Sequence, residues 1–189
     1  FLEEVFAKAS LPVSVKTRLG LESPEEFPAL LEIYNRYPIK ELTIHPRVRK
    51  QFYDGSVFME MFDHAVRNSR NPLCYNGDIQ TLAQAQAISE TYPNVQSVMI
   101  GRGLIADPGM LSGGTDKQSL EHFLNDVMDA YEEAFGGSRN AMFRLKEHWS
   151  MLLPRFEGSE KLAKRLRKTT ELAQYRAVTR EIFGTLPLK

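Results

Sequence analysis

The 189 residues carry 24 basic and 24 acidic side chains, a formal net charge of zero, with 42% hydrophobic and 25% charged residues. That balance excludes a disordered polyelectrolyte and leaves any attraction to nucleic acid to local clustering of charge. The single cysteine, Cys74, excludes a disulfide framework and a cysteine-based zinc site, and no apolar run approaches the roughly 18 residues needed to cross a bilayer, so the composition reads as a globular protein of a reducing cytoplasm.

The chain opens on Phe1-Leu2-Glu3-Glu4, without an initiator methionine or a cap, and reads as the end of a helix continued from something longer. Four short apolar or β-branched runs follow, at Leu11 to Lys16, Glu41 to His45, Pro72 to Asn76 and Val95 to Ile100, and each predicts a buried parallel strand. Helical spacing of apolar residues separates them, as in Phe27, Leu30, Leu31 and Tyr34, and again in Phe58, Met61, Phe62, Ala65 and Val66. Ser23, Pro24 and Glu26 form a start signal for the first crossover helix, with a capping serine, a proline at the first helical position and a glutamate completing a capping box. Alternation of this kind predicts a parallel α/β sheet or barrel.

After Ile105 the pattern passes through Asp107-Pro108-Gly109 and Ser112-Gly113-Gly114 into a region without strand signals. Leu120, Phe123, Leu124, Val127, Met128 and Tyr131 form one helical stripe, and Phe143 to Leu153, Lys161 to Lys168 and Leu172 to Phe183 predict three further helices. Two domains are expected, an α/β part over residues 1–110 and a small all-α part over 116–189.

The chemistry gathers at the strand ends. Asn76-Gly77-Asp78-Ile79 follows the third strand and precedes Thr81 at a helix start, where backbone N–H groups can approach an anion. The fourth strand runs into Gly101-Arg102-Gly103, a second close approach with a guanidinium beside it. Either motif alone is an ordinary tight turn; their succession on consecutive strands favours a phosphate site. In (β/α)8 barrels that site is frequently built after strands 7 and 8, which numbers the four strands here 5 to 8 and makes this chain the second half of a TIM barrel. Asp78 is expected to cap the following helix with its carboxylate, because a phosphate repels it. Lys16 with Arg18, and His45 with Arg47, stand at the ends of the first two strands, where barrel enzymes place catalytic groups. A solvated lysine and a core histidine are the commoner readings of such residues, and proximity to the phosphate loops favours a ligand role.

Taken in order, Val15-Lys16-Thr17-Arg18-Leu19-Gly20, Thr43-Ile44-His45-Pro46-Arg47, Tyr53-Asp54-Gly55, Asn76-Gly77-Asp78-Ile79 and Met99-Ile100-Gly101-Arg102-Gly103 resemble the motifs of tRNA dihydrouridine synthases. The resemblance implies FMN-dependent reduction of uridine to 5,6-dihydrouridine in tRNA, with NADPH as reductant. It assigns Lys16 and His45 to the isoalloxazine ring, Arg18 and Arg47 to the substrate uracil and its neighbouring phosphates, and Asn76, Gly77, Asp78, Gly101 and Arg102 to the FMN phosphate. The family's catalytic acid is a cysteine from the barrel's first half. Cys74 lies inside a predicted strand and reads as a small buried hydrophobe, so the chain alone is expected to bind FMN weakly or not at all and not to turn over.

From Arg139 to Lys168 nine basic residues face three acidic ones. Charge runs are usually solvated helix faces; beside an FMN barrel this one fits phosphate contacts to folded RNA through Arg139, Arg144, Lys161, Lys164, Arg165, Arg167 and Lys168. Trp149 reads as core. An FMN barrel acting on a small molecule, like dihydroorotate dehydrogenases or ene-reductases, is the alternative that the basic helical tail argues against, and a non-catalytic RNA-binding module is the other. The strands at Leu11 to Lys16 and Val95 to Ile100 are unpaired apolar edges in a half barrel and predict dimerisation.

Overall fold

In the computed structural model, which describes residues 1–189, four short strands form one parallel sheet in sequence order: β1 (Val15–Arg18), β2 (Leu42–His45), β3 (Leu73–Tyr75) and β4 (Ser97–Val98). A short α1 (Leu2–Lys8) precedes them, and α2 (Phe27–Tyr34), α3 (Met59–Asn68) and α4 (Leu82–Thr91) make the crossovers. Each parallel neighbour requires such a crossover, which is why strand and helix alternate. All four expected strands are present, with shifted bounds. β1 runs on to Arg18 because Leu19 continues the pairing through a bond from its N–H to the Arg47 carbonyl, and β4 shrinks to two residues at the sheet edge.

Side chains alternate across the sheet. Leu42, Ile44, Leu73 and Tyr75 join Phe27, Leu31, Phe62 and Ala65 in the apolar core. The opposite face receives Lys16, Arg18, Thr43, His45 and Cys74, because the register sets Lys16 beside Thr43, Arg18 beside His45, and Thr43 beside Cys74. β2 is buried throughout, as a strand flanked on both sides must be. β1 and β4 each have one neighbour.

The capping box at Ser23 forms as expected, with Glu26 Oε1 accepting from the Ser23 N–H at 2.8 Å, yet it opens a single 3-10 turn over Pro24–Glu26 that feeds α2. The same carboxylate accepts the N–H groups of Leu21 and Glu22, and these bonds hold its pKa below the ordinary value. At α4 the cap is Thr81, in a reciprocal box with Gln84.

The second unit is helical: α5 (Arg102–Ala106), α6 (Lys117–Phe135), α7 (Ser138–Leu152), α8 (Glu160–Lys168) and α9 (Leu172–Thr185). Asp116 caps α6 by accepting from Gln118 and Ser119, and Gly136, at φ 67°, ends it in the left-handed conformation that glycine adopts without strain. Its core unites Leu120, Leu124 and Met128 with Leu145, Trp149, Leu166, Ile182 and Phe183. Trp149 is core as expected, 1% exposed, and its Nε1 donates to the Tyr175 hydroxyl at 2.7 Å.

The chain forms two compact units that meet in sequence at Gly101–Arg102. The reason lies in Arg155, whose Nη1 donates to the Ala106 carbonyl at 3.0 Å and pairs with Asp107 at 3.4 Å, which draws α5 and the turn after it into the helical unit. No helix is long and apolar enough to cross a membrane.

Candidate active site

On the polar face of the sheet, Lys16 and Arg18 alternate along β1 while Thr43 and His45 alternate along β2, so the two-residue period of a strand brings four polar groups to one side. Three cations converge on His45. Its imidazole is 5% exposed, and burial, followed by the charges of Arg18, Lys16 and Arg47, lowers its pKa from 6.5 to about 4 against the opposing pull of Asp78. The ring is therefore neutral at physiological pH. Lys16 is lowered as well, by burial first and by the Arg18 charge second. A face with this surplus of positive charge complements an electron-rich group.

Arg47 occupies a different position from the one its motif implies. It is 1% exposed, and both Nη atoms meet the Asp78 carboxylate at 2.6 Å in a bidentate pair. Nη2 also donates to the Gly55 carbonyl, and Nη1 lies 3.5 Å from His45 Nε2. Asp78 is thus a partner of Arg47 and not the cap of α4, a role Thr81 fills. Its backbone, at φ 48°, turns the carboxylate back toward the sheet; aspartate tolerates that region better than most residues.

Above the ends of β1 and β2 runs a loop that the motifs named without assigning a role. The Arg18 guanidinium lies 5.4 Å from the Tyr53 ring centre, and the His45 and Tyr53 rings are 6.0 Å apart. Arg18 Nη1 further donates to the Val48 carbonyl at 2.9 Å.

The two glycine loops differ in what they need. A Cβ on Gly77 would come within 2.9 Å of the Tyr75 hydroxyl and 3.1 Å of Val57, so packing alone requires glycine there. A Cβ on Gly101 would meet nothing within 4 Å, so the backbone there is open to approach. Asn76 ties the two strand ends together by donating from Nδ2 to the Met99 carbonyl at 2.8 Å. Arg102 is the first residue of α5. Cys74 is buried, 2% exposed, within β3.

In the helical unit the expected cations fall into two groups. Lys161, Lys164, Arg167 and Lys168 are exposed along α8, whose other side buries Leu162 and Leu166. Arg144 pairs with Glu147 at 3.3 Å, Arg165 pairs with Glu181 at 2.7 Å, and Arg139 lies 5.9 Å from the Phe143 ring centre. Lys146, outside the expected set, joins α7 to the end of α8 by donating to the carbonyls of Arg167 and Thr169, both at 2.8 Å, and partial burial lowers its pKa.

The family model for dihydrouridine synthase (Dus) matches residues 1–184. Similar curated proteins include the probable tRNA-dihydrouridine synthase of Rickettsia bellii, 31% identical over 140 residues that cover 69% of this chain and 43% of the relative. That of Rhizobium leguminosarum bv. phaseoli is 31% identical over 172 residues, covering 85% and 53%, and that of Staphylococcus aureus is 28% identical over 184 residues, covering 90% and 54%. The chain spans about half the length of the curated relatives it matches.

Proposed function

Since the chain belongs to the dihydrouridine synthase family, we propose that it serves the reduction of uridine to 5,6-dihydrouridine in tRNA, with FMN as cofactor and NADPH as reductant. In this reading β1 to β4 are strands 5 to 8 of a (β/α)8 barrel and α6 to α9 form a tRNA-binding domain. The observation that carries it is the convergence of Lys16, Arg18 and a neutral His45 on one face at the ends of adjacent strands.

Bound FMN supplies hydride transfer to the uracil ring. The residues present fit it on two counts: the cationic face suits an electron-rich ring, and the open backbone at Gly101 leaves room for a phosphate. Lys16 would stabilise negative charge on a bound flavin ring. His45, neutral, donates one N–H and accepts at its other nitrogen. Arg18 is the substrate-facing guanidinium, aligned by Tyr53 and the Val48 carbonyl. Backbone N–H groups of Gly77 and Gly101 would hold the phosphate, beside Asn76, whose own N–H is taken by the Ile44 carbonyl at 3.0 Å. Cys74, buried in β3, is no candidate for the proton donor.

The α8 cations Lys161, Lys164, Arg167 and Lys168 supply phosphate contacts, with Arg139, Arg144 and Arg165 beside them. The single-neighbour edges β1 and β4 support dimerisation, which light scattering would read as a doubled mass.

The test is incubation of unmodified tRNA with FMN, NADPH and a full-length synthase carrying these residues, followed by nucleoside mass analysis. Dihydrouridine lost on Lys16→Ala supports the reading. A protein that stays colourless with excess FMN yet binds tRNA favours the non-catalytic RNA-binding alternative.

A further inference from the structure

We infer that Arg47 and Asp78 form a positioning clamp that fixes His45 as its Nδ1–H tautomer and ties down the loop from Gln51 to Ser56, so that Arg47 supports the site from behind instead of touching substrate. This deepens the proposed function and rests on it only in treating His45 as a ligand-facing group.

The four Nη hydrogens of Arg47 are accounted for, while its Nε–H is buried without a partner. Two of the four Nη hydrogens point to the Asp78 carboxylate at 2.6 Å, one to the Gly55 carbonyl and one toward His45 Nε2 at 3.5 Å. Arginine stays protonated and only donates, so the imidazole nitrogen facing it is the acceptor, and the proton of the neutral ring resides on Nδ1. With the residue 1% exposed, a substrate group could reach these hydrogens only by displacing a partner, and displacing Asp78 leaves a buried cation uncompensated.

The second arm of the clamp reaches the loop. Gly55, at φ +66°, is in the left-handed region that a side chain disfavours, and this turns its carbonyl to Arg47. Gln51 braces the same turn by donating from Nε2 to the carbonyls of Asp54 at 2.7 Å and Ser56 at 2.8 Å. Between these fixed points stands Tyr53, against Arg18 and His45. The clamp therefore sets both the hydrogen-bond polarity of His45 and the wall beside Arg18.

The experiment is long-range ¹H–¹⁵N NMR of the imidazole rings in the full chain at pH 7, with His45 assigned through His45→Gln, on the native sequence and on Asp78→Asn. No flavin, NADPH or RNA is added. The native sequence is expected to show a single Nδ1–H tautomer at His45 and slowly exchanging Arg47 Nη hydrogens. Asp78→Asn is expected to show a mixture containing Nε2–H and to lose the slow Nη signals, while Asp78→Glu, which keeps a carboxylate, restores them. A clamp with only a stabilising role would lower the unfolding midpoint of Asp78→Asn and leave the tautomer unchanged, which overturns the inference. So does Nε2–H in the native sequence, a result that decides the matter even where the variant fails to fold. Absence of dihydrouridine formation breaks the functional reading alone, because the tautomer is read without cofactor or tRNA.

Discussion

The α/β unit and the helical unit handle charge in opposite ways. In the first, Arg47 and His45 are drawn out of water and set against each other, so that their chemistry depends on where their neighbours stand. In the second, the buried polar side chains are uncharged, Trp149 bonded to Tyr175 and Ser159 and Thr169 to backbone carbonyls, and the cations of α8 stay in solvent. Desolvated charge is strong, directional and costly to misplace. Solvated charge is cheap, interchangeable and screened by salt. The first arrangement suits chemistry on a single ring, and the second suits attraction to a polyanion.

The sharpest test of the contrast lies in the helical core. Trp149→Ala removes a ring packed at 5.7 Å from Phe183 and 6.2 Å from Phe156, and leaves the Tyr175 hydroxyl without its donor. A loss of about 3–5 kcal/mol is expected for deletion of a buried aromatic, read from the denaturant midpoint of the helical circular-dichroism signal. A loss below about 1 kcal/mol would mean that apolar packing is not what holds this unit.

A polar pair should matter nearly as much in the α/β unit. Asp78→Asn strands the Arg47 charge at a cost of about 3 kcal/mol, the low end for breaking a buried pair because the Asp78 side chain is 39% exposed. Glu22→Gln is the control: its pair with Lys50 at 2.8 Å is solvent-exposed, and its loss should cost no more than about 0.5 kcal/mol. Equal effects for the two substitutions would remove the distinction between desolvated and solvated charge.

The His45 ring gives a smaller, pH-dependent form of the same test. Its pKa is depressed from 6.5 to about 4 in the folded chain, so between those values the unfolded state binds more protons and stability rises with pH. The contribution is fully present above about pH 6.5 and is lost as pH falls toward 4, amounting to on the order of 2 kcal/mol after allowance for solvent screening. His45→Gln should flatten the unfolding free energy across that window, and an unchanged slope would place the titration elsewhere.

Much of this architecture was legible in the sequence because periodicity reports burial. The spacing of Phe27, Leu31 and Tyr34 gave the body of α2, although the cap at Ser23 pointed to an earlier start that the chain spends on a 3-10 turn, and Leu172 to Phe183 gave nearly all of α9. Strand ends were less legible. β1 continues to Arg18 through a bond to Arg47, a residue 29 positions further on that no local pattern announces. The candidate site was legible as a set of motifs and not as a set of roles. Lys16, Arg18 and His45 share a face because of alternation, which a sequence displays; Asp78 turns to Arg47 because of a left-handed backbone and a partner across the sheet, which it does not. Motif reading likewise gave one reason for two glycines, whereas Gly77 answers to the Tyr75 hydroxyl and Gly101 to open space.

The least effect on stability is expected where the sequence signal was broadest, on α8. Replacing Lys161, Lys164, Arg167 and Lys168 together with glutamine should change the unfolding free energy by no more than about 0.5 kcal/mol per site, since none of the four side chains makes an ion pair and the helix is held by Leu162 and Leu166 on its other side. Affinity for tRNA should respond far more. If each cation displaces roughly one counterion, the slope of log affinity against log salt should fall by about 3, measured by fluorescence anisotropy over a salt series. Arg165→Gln should move the slope less than Arg167→Gln, because Arg165 already spends part of its charge on Glu181 at 2.7 Å. A slope indifferent to all four substitutions would reduce the α8 cations to a solubilising face, and the contrast between the units would then be one of buried chemistry against plain scaffold.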